Sequence, residues 1–338
     1  MTALVTKKRV YFLFLCVLFS SGVGSAFLIL PNLSLGKVPG GTDLYPRVNF
    51  MPEFDKPSGD DYFFVHGRQA DLSQSVLYHN LGESIKQARK ADVLFIGDSR
   101  MPLGLREQVL VPKAESLGIK LFSLGMGHVE KTKFSMEIIR KFDLRPKIVV
   151  IVGGPHMFED SYSDMSEWVV RMTRWDAIKN FYESTAWWNI QYRLHNLIPK
   201  IEIVHHRFEP GYIYYRSEKT GWWYVALEWN NRYPIEKGQE RESYESYLPY
   251  ARGIHQELLD RGALMIVSIV PYGRFQAGHL DLLSRELKVP VIYPRVNNLE
   301  TFDGSHLSRE SALRYGEAFW DTFINLPEVR EKLSLPVQ

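Results

Sequence analysis

The chain has one cysteine in 338 residues, Cys16, which excludes an intramolecular disulfide and a cysteine-built metal cluster. Cys16 lies inside an N-terminal apolar stretch with no lipobox-like arrangement around it, and it reads as a small apolar side chain. A surplus of charge is missing too: 41 Lys and Arg face 39 Asp and Glu, leaving a formal net charge of +2. With no Lys/Arg-rich block in the folded part, nucleic-acid binding is set aside. There is no internal repeat and no low-complexity segment. Gly125-Met126-Gly127 lacks the third glycine of a dinucleotide fingerprint. His205-His206 has no third ligand at helical or strand spacing, and His128, His255 and His279 are scattered, so neither a metal nor a cofactor is expected.

The composition is that of an ordinary globular protein, 45% hydrophobic and 24% charged. The length suits one large α/β domain with an insertion, or two modest ones. Lys7, Lys8 and Arg9 precede an apolar run over residues 10–30, about the 20 residues a bilayer-spanning helix needs. The basic cluster stays on the cytoplasmic side and sends the rest of the chain outside the cytoplasm. Gly24-Ser25-Ala26 has the small residues a signal peptidase accepts. The apolar character continues through Phe27 to Leu30 and favours an uncleaved anchor over residues 1–31. Either reading places the main domain in the same extracytoplasmic compartment, periplasm or cell surface.

Residues 32–72, rich in Pro, Gly and Asp, read as a linker or collar. From residue 73 to about 330 helical and strand patterns alternate. A helix is expected over 73–90 and strands over 93–96, 119–124, 147–152, 263–270 and 289–293. Further helices are expected over 131–142, 247–260 and 280–287, with an amphipathic one after Ser308. Such alternation argues for a parallel sheet with helices on both faces. The pattern breaks down over about 158–246. Seven of the 8 tryptophans fall there, Trp168, Trp175, Trp187, Trp188, Trp222, Trp223 and Trp229. This stretch reads as an aromatic-rich insertion or lid, suited to sugar rings or a membrane interface, or as a subdomain with an aromatic core.

Two segments carry the chemistry. Val93 to Ile96 is a buried-strand run that ends in Gly97-Asp98-Ser99-Arg100, a strand delivering a serine onto a sharp turn; Asp98 and Ser99 are also good helix caps. Near the other end stands Asp303-Gly304-Ser305-His306. Its spacing lets the carboxylate fold back onto the imidazole Nδ1–H and leaves Nε2 to face a serine, which needs such a base; Asp303 as a plain helix cap is the alternative. In a parallel sheet both segments lie beyond carboxyl ends of strands, where open α/β sheets place their sites.

The order Gly97-Asp98-Ser99, Gly125, the Gly153-Gly154 turn and Asp303-x-x-His306 resembles the SGNH (GDSL-like) hydrolases. That resemblance implies a flavodoxin-like three-layer α/β/α sandwich with Ser99 as nucleophile, His306 as general acid/base and Asp303 as its orienter. Oxyanion donors would be the Ser99 and Gly125 N–H groups. The family's third block is usually Gly-x-Asn, whereas here Gly154-Pro155-His156 stands in that place. The His156 imidazole either donates in place of the amide or has a structural or substrate role. Arg100 is a candidate contact for an anionic substrate or a surface ion pair. The anchor, the insertion and the Asp-Gly-Ser-His-Leu-Ser ending resemble the membrane-anchored extracytoplasmic branch of DltD-like and alginate-acetylation proteins. Those proteins act with membrane-bound acyltransferases on envelope polymers.

The resulting expectation is a serine esterase or O-acyltransferase acting on acylated cell-envelope glycans through an acyl-Ser99 intermediate. The other expectation is a non-catalytic anchored module that binds a polysaccharide or membrane partner through the insertion.

Overall fold

The structure, a computed structural model, describes residues 61–65, 72–127, 130–180, 213–225, 231–238, 243–275 and 277–336. The expected anchor over 1–31, Cys16, His128, His205, His206, Trp187, Trp188 and Trp229 lie outside the described residues. Among the described residues no helix is long and apolar enough to cross a membrane.

Five strands form one parallel sheet: β1 (Val93–Gly97), β2 (Leu121–Ser123), β3 (Ile148–Val152), β4 (Leu264–Ser268) and β5 (Val291–Ile292). Their spatial order is 2-1-3-4-5 and every neighbouring pair is parallel. This is one of the two common orders of doubly wound α/β sheets. Side chains alternate across each strand with period two. Leu94, Ile96, Val149, Ile151, Met265 and Val267 face one core; Val93, Phe95, Ile148, Val150, Val152 and Ile266 face the other. All five residues of β1 and of β3 are buried, which is why these strands read as unbroken apolar runs.

Helices cover both faces. The first core is closed by α1 (Leu72–Tyr78), α2 (Ser84–Ala88), α5 (Thr132–Lys141), α6 (Asp164–Arg171), α7 (Leu248–Asp260) and α8 (Gly278–Leu287). The second is closed by α3 (Arg100–Gly104), α4 (Glu107–Ser116), α9 (Arg309–Asn325) and α10 (Pro327–Lys332). Helix, sheet and helix layers follow, consistent with a three-layer sandwich.

The single helix expected over 73–90 is instead two. Asn80 takes a left-handed φ of 51° and Leu81 N–H reaches back to Val76 O, ending α1 as a helix C-terminus. Part of the expected linker enters a strand: Asp61–Val65 pairs antiparallel with Ile213–Ser217, which pairs in turn with Trp223–Val225.

The described part of the aromatic insertion packs into the main body. Trp222 is buried against Phe95 of β1, with ring centroids 5.5 Å apart, and its indole N–H donates to Leu105 O at 2.6 Å. Trp168 lies half-buried against the first core, whereas Trp175 is 70% exposed. Gly221 is required where this segment meets β2. Its φ is +73° and a Cβ there would stand 2.2 Å from Ser123 O.

Candidate active site

β1 and β3 are neighbours whose onward connections leave to opposite sides of the sheet, since β2 lies beyond β1 and β4 beyond β3. The crevice at their carboxyl ends is the topological switch point where open α/β sheets hold ligands. Gly97 closes β1 because a Cβ would lie 2.6 Å from both Val152 O and Met101 Cβ. The chain then turns directly into α3, with Ser99 as its N-cap residue. The Ser99 side chain makes no capping bond; its Oγ lies 2.7 Å from His306 Nε2.

His306 reaches this point from a loop whose shape Asp303 dictates. Asp303 Oδ1 accepts the N–H groups of Ser305 (2.8 Å) and His306 (2.7 Å), while Oδ2 lies 2.7 Å from His306 Nδ1. One oxygen therefore folds the turn and the other holds the imidazole. Asp303 does not cap the following helix: Ser308 does that for α9, accepting from Ser311 N–H. Gly304 adopts φ +80°, and its carbonyl accepts Gly273 N–H at 2.9 Å. Phe302 stacks on the His306 ring, with centroids 5.6 Å apart.

Partial burial would push the Asp303 carboxyl up, but its bond to His306, the attraction of that imidazole when protonated and the two N–H donors hold it below its ordinary value. An ionised carboxylate only accepts, so His306 donates to it through Nδ1–H, and the neutral ring then turns an Nε2 lone pair toward the Ser99 hydroxyl. Ser99, His306 and Asp303, three residues singled out in the sequence, thus form a continuous hydrogen-bonded line, half-buried at the edge of the sheet.

A second network adjoins it. Asp98 is 2% exposed. Its Oδ1 accepts Arg100 N–H at 2.9 Å, and its Oδ2 lies 3.1 Å from His156 Nε2 and 3.3 Å from an Arg100 terminal nitrogen. Burial alone would raise the Asp98 carboxyl; the His156 bond and the Arg100 guanidinium more than offset this and hold it below its ordinary value. Arg100 Nε also donates to Ser305 Oγ at 3.2 Å, and the guanidinium lies 4.0 Å from the Tyr272 ring centroid. Arg100 thereby ties the Ser99 turn to the loop that carries Asp303 and His306.

Two of the residues expected to line an oxyanion site, Gly125 and His156, have hydrogen-bond partners within the protein. Gly125 N–H donates to Ser123 Oγ at 3.1 Å and Gly125 O accepts from buried Arg216, because the polar end of β2 is buried and needs partners. Gly154 opens the Pro155–Phe158 turn, which swings His156 toward Asp98. Since ionised Asp98 can only accept, His156 donates through Nε2, and its other nitrogen when neutral is an acceptor. Sequence reasoning missed Tyr272, Ser305 and Phe302, which have no spacing signature; the turn chemistry of Gly304-Ser305 next to Asp303 was the one available hint.

Among the described residues no group of three or more His, Cys, Asp or Glu is placed to hold a metal ion. The chain matches no protein-family model, and none of the curated proteins matches it.

Proposed function

We propose that this protein is a serine esterase or O-acyltransferase of the SGNH (GDSL-like) kind, with a flavodoxin-like sandwich. Its substrates would be acylated cell-envelope glycans, met outside the cytoplasm from an N-terminal membrane anchor. The observation that carries the reading is the Ser99–His306–Asp303 line, with spacings of 2.7 and 2.7 Å, at the switch point of the sheet.

In the proposed reaction Ser99 Oγ attacks the ester carbonyl carbon while its proton passes to His306 Nε2. The tetrahedral intermediate collapses, the carbon–oxygen bond to the sugar breaks, and the leaving alkoxide takes the proton from His306. Water or a second sugar hydroxyl then gives its proton to His306 and attacks the acyl-Ser99 carbonyl; the second tetrahedral intermediate collapses, the carbonyl carbon–Oγ bond breaks, and Ser99 Oγ takes the proton back from His306. Asp303 stabilises the imidazolium formed in each half. The Ser99 backbone N–H, at the start of α3, is the proposed oxyanion donor. Loss of one such donor typically costs about 10²–10³ in turnover. With Gly125 and His156 engaged elsewhere, a slow enzyme is the expectation.

The test is labelling of the full-length protein with a fluorophosphonate probe. Wild type is expected to label, and Ser99→Ala and His306→Ala are not. Labelling that survives in Ser99→Ala, or a folded wild type that never labels, overturns the reading. N-terminal sequencing of the mature protein tests the uncleaved anchor.

A further inference from the structure

A cavity of about 640 Å³ opens between the segment following β3 and the N-terminal half of α7. Its walls include Phe158, Glu159, Asp160, Tyr247, Tyr250 and Gly253. α7 leads into β4, so its N-terminal half sits at the carboxyl edge of the sheet, the edge that holds Ser99. The connection to the site is short. His156, bonded to Asp98 beside the nucleophile, is two residues before Phe158 in the same turn, so their Cα atoms lie within about 7.6 Å of each other.

The chemistry of the walls is specific. Phe158 and Tyr247 are buried beneath the wall, so partly exposed Tyr250 is the ring that can meet the C–H face of a pyranose, and the carboxylates accept hydrogen bonds from its hydroxyls. The two carboxylates are also charge-compensated: Glu159 pairs with Lys131 at 2.6 Å and Asp160 with Lys133 at 2.8 Å. Neither pairing exhausts a carboxylate's acceptor sites. The surroundings therefore suit an uncharged sugar better than a uronate, which would meet two carboxylates.

A separate observation points the same way. Gly253 is an exposed glycine in the middle of a thirteen-residue helix, where glycine weakens the helix relative to alanine. A Cβ at this position would meet no atom of the described residues within 4 Å. Its φ is not in the left-handed region. Neither packing nor backbone geometry among the described residues requires glycine, yet its bareness keeps the cavity wall low.

We infer that this cavity is a carbohydrate subsite that holds an uncharged sugar ring of the glycan beyond the ring whose acyl ester meets Ser99. The inference rests on the proposed glycan-ester reading, and its test separates the two. Cellohexaose is titrated calorimetrically into the full-length Ser99→Ala protein, alone and carrying Gly253→Ala or Gly253→Trp. A hexagalacturonate is titrated alongside.

Cellohexaose is expected to bind, with Gly253→Ala weaker than the parent and Gly253→Trp weaker still, by at least about tenfold, and hexagalacturonate is expected to bind at least about tenfold more weakly. No binding of cellohexaose, equal binding by both Gly253 variants, or equal binding of the uronate overturns the subsite. Circular dichroism melting of Gly253→Trp verifies that it folds, and a Gly253→Gln variant takes its place if it does not. Hydrolysis of p-nitrophenyl acetate by the protein with Ser99 intact reports on the catalytic reading separately. Its absence would overturn the esterase while the binding data still decide the subsite.

Discussion

Asp303→Asn changes the chemistry of the proposed relay without changing its outline, and the structure fixes what the amide must do. Asp303 Oδ1 accepts two backbone N–H groups at 2.8 and 2.7 Å. An asparagine must keep its carbonyl oxygen there, because the flipped amide would set its NH₂ against two donors. The NH₂ group then occupies the Oδ2 position, 2.7 Å from His306 Nδ1. A donor at that distance selects the tautomer protonated on Nε2, which presents N–H, not a lone pair, to the Ser99 hydroxyl. The base is in place and cannot accept the proton. A wrong-tautomer relay of this type loses about 10⁴ in turnover, or about 5 kcal/mol of transition-state stabilisation. The assay is p-nitrophenyl acetate hydrolysis together with the rate of fluorophosphonate labelling. Both are expected to fall by about 10⁴, with the melting temperature almost unmoved because the loop keeps its backbone bonds. A loss of less than about tenfold would refute the reasoning, since it would mean that His306 does not take the Ser99 proton.

Other perturbations follow from the same geometry. Arg100→Lys removes the Nε bond to Ser305 and the guanidinium lying over Tyr272, so kcat for a small ester is expected to fall between about 10- and 10²-fold with KM little changed; steady-state kinetics in which only KM moves would assign Arg100 to substrate contact instead. Trp222→Ala opens a cavity against Phe95 and is expected to cost about 3–5 kcal/mol in urea unfolding. Burial raises the carboxyl of Glu130, a rise that the Ser166 and Ser163 hydroxyls only partly offset. The native state therefore binds this proton more tightly than the unfolded chain, and the group's contribution to stability falls as pH rises from the ordinary glutamate value through the raised one. Glu130→Gln is expected to flatten that part of the urea-unfolding profile. Asp98 and Asp303, both held low, act in the opposite sense: their contribution is present above the ordinary aspartate value and is lost as pH falls through their depressed ones.

The parallel sheet was legible because its strands are buried on both faces, and such strands leave apolar runs with no polar interruption; Ile148–Val152 is the clearest case. Their ends were less so. The run over 263–270 leaves the ladder after Ser268, and Ile269 O is taken by the buried Tyr315 hydroxyl at 2.5 Å, a partner supplied from α9. The break between α1 and α2 was hidden because apolar spacing continues across Asn80, whose backbone and not its side chain ends the helix. Asp61–Val65 could not be read as a strand because its partner, Ile213–Ser217, lies far along the chain and nothing local records the pairing. Ser99, Asp303 and His306 were legible since nucleophile turns and Asp-x-x-His loops are local patterns. The engagement of His156 with Asp98 was not, because it depends on two loops meeting at adjacent strand ends.

The insertion takes on a different meaning once its contacts are set beside the site. A detachable lid would leave the edge that carries Ser99, Asp303 and His306 intact without it, yet the described part of the insertion braces that edge from three directions. Buried Arg216 donates to the carbonyls of Ser123 and Gly125, where β2 ends, and to Gly221 O. Trp222 packs on Phe95, four residues before Ser99, and bonds Leu105 O just beyond α3. Tyr233–Pro234 pairs antiparallel with Glu300–Thr301, the strand that launches the Asp303 loop, and Thr301 Oγ1 donates to Tyr233 O at 3.3 Å. The serine and the histidine come from segments 207 residues apart, and a shift of about 1 Å between them is enough to cost about 10² in rate. A sheet of five short strands does not by itself hold the Asp303 loop, whose own backbone bonds are mostly internal. Strands from the insertion supply the missing cross-ties, so deleting it is expected to misalign Ser99 and His306.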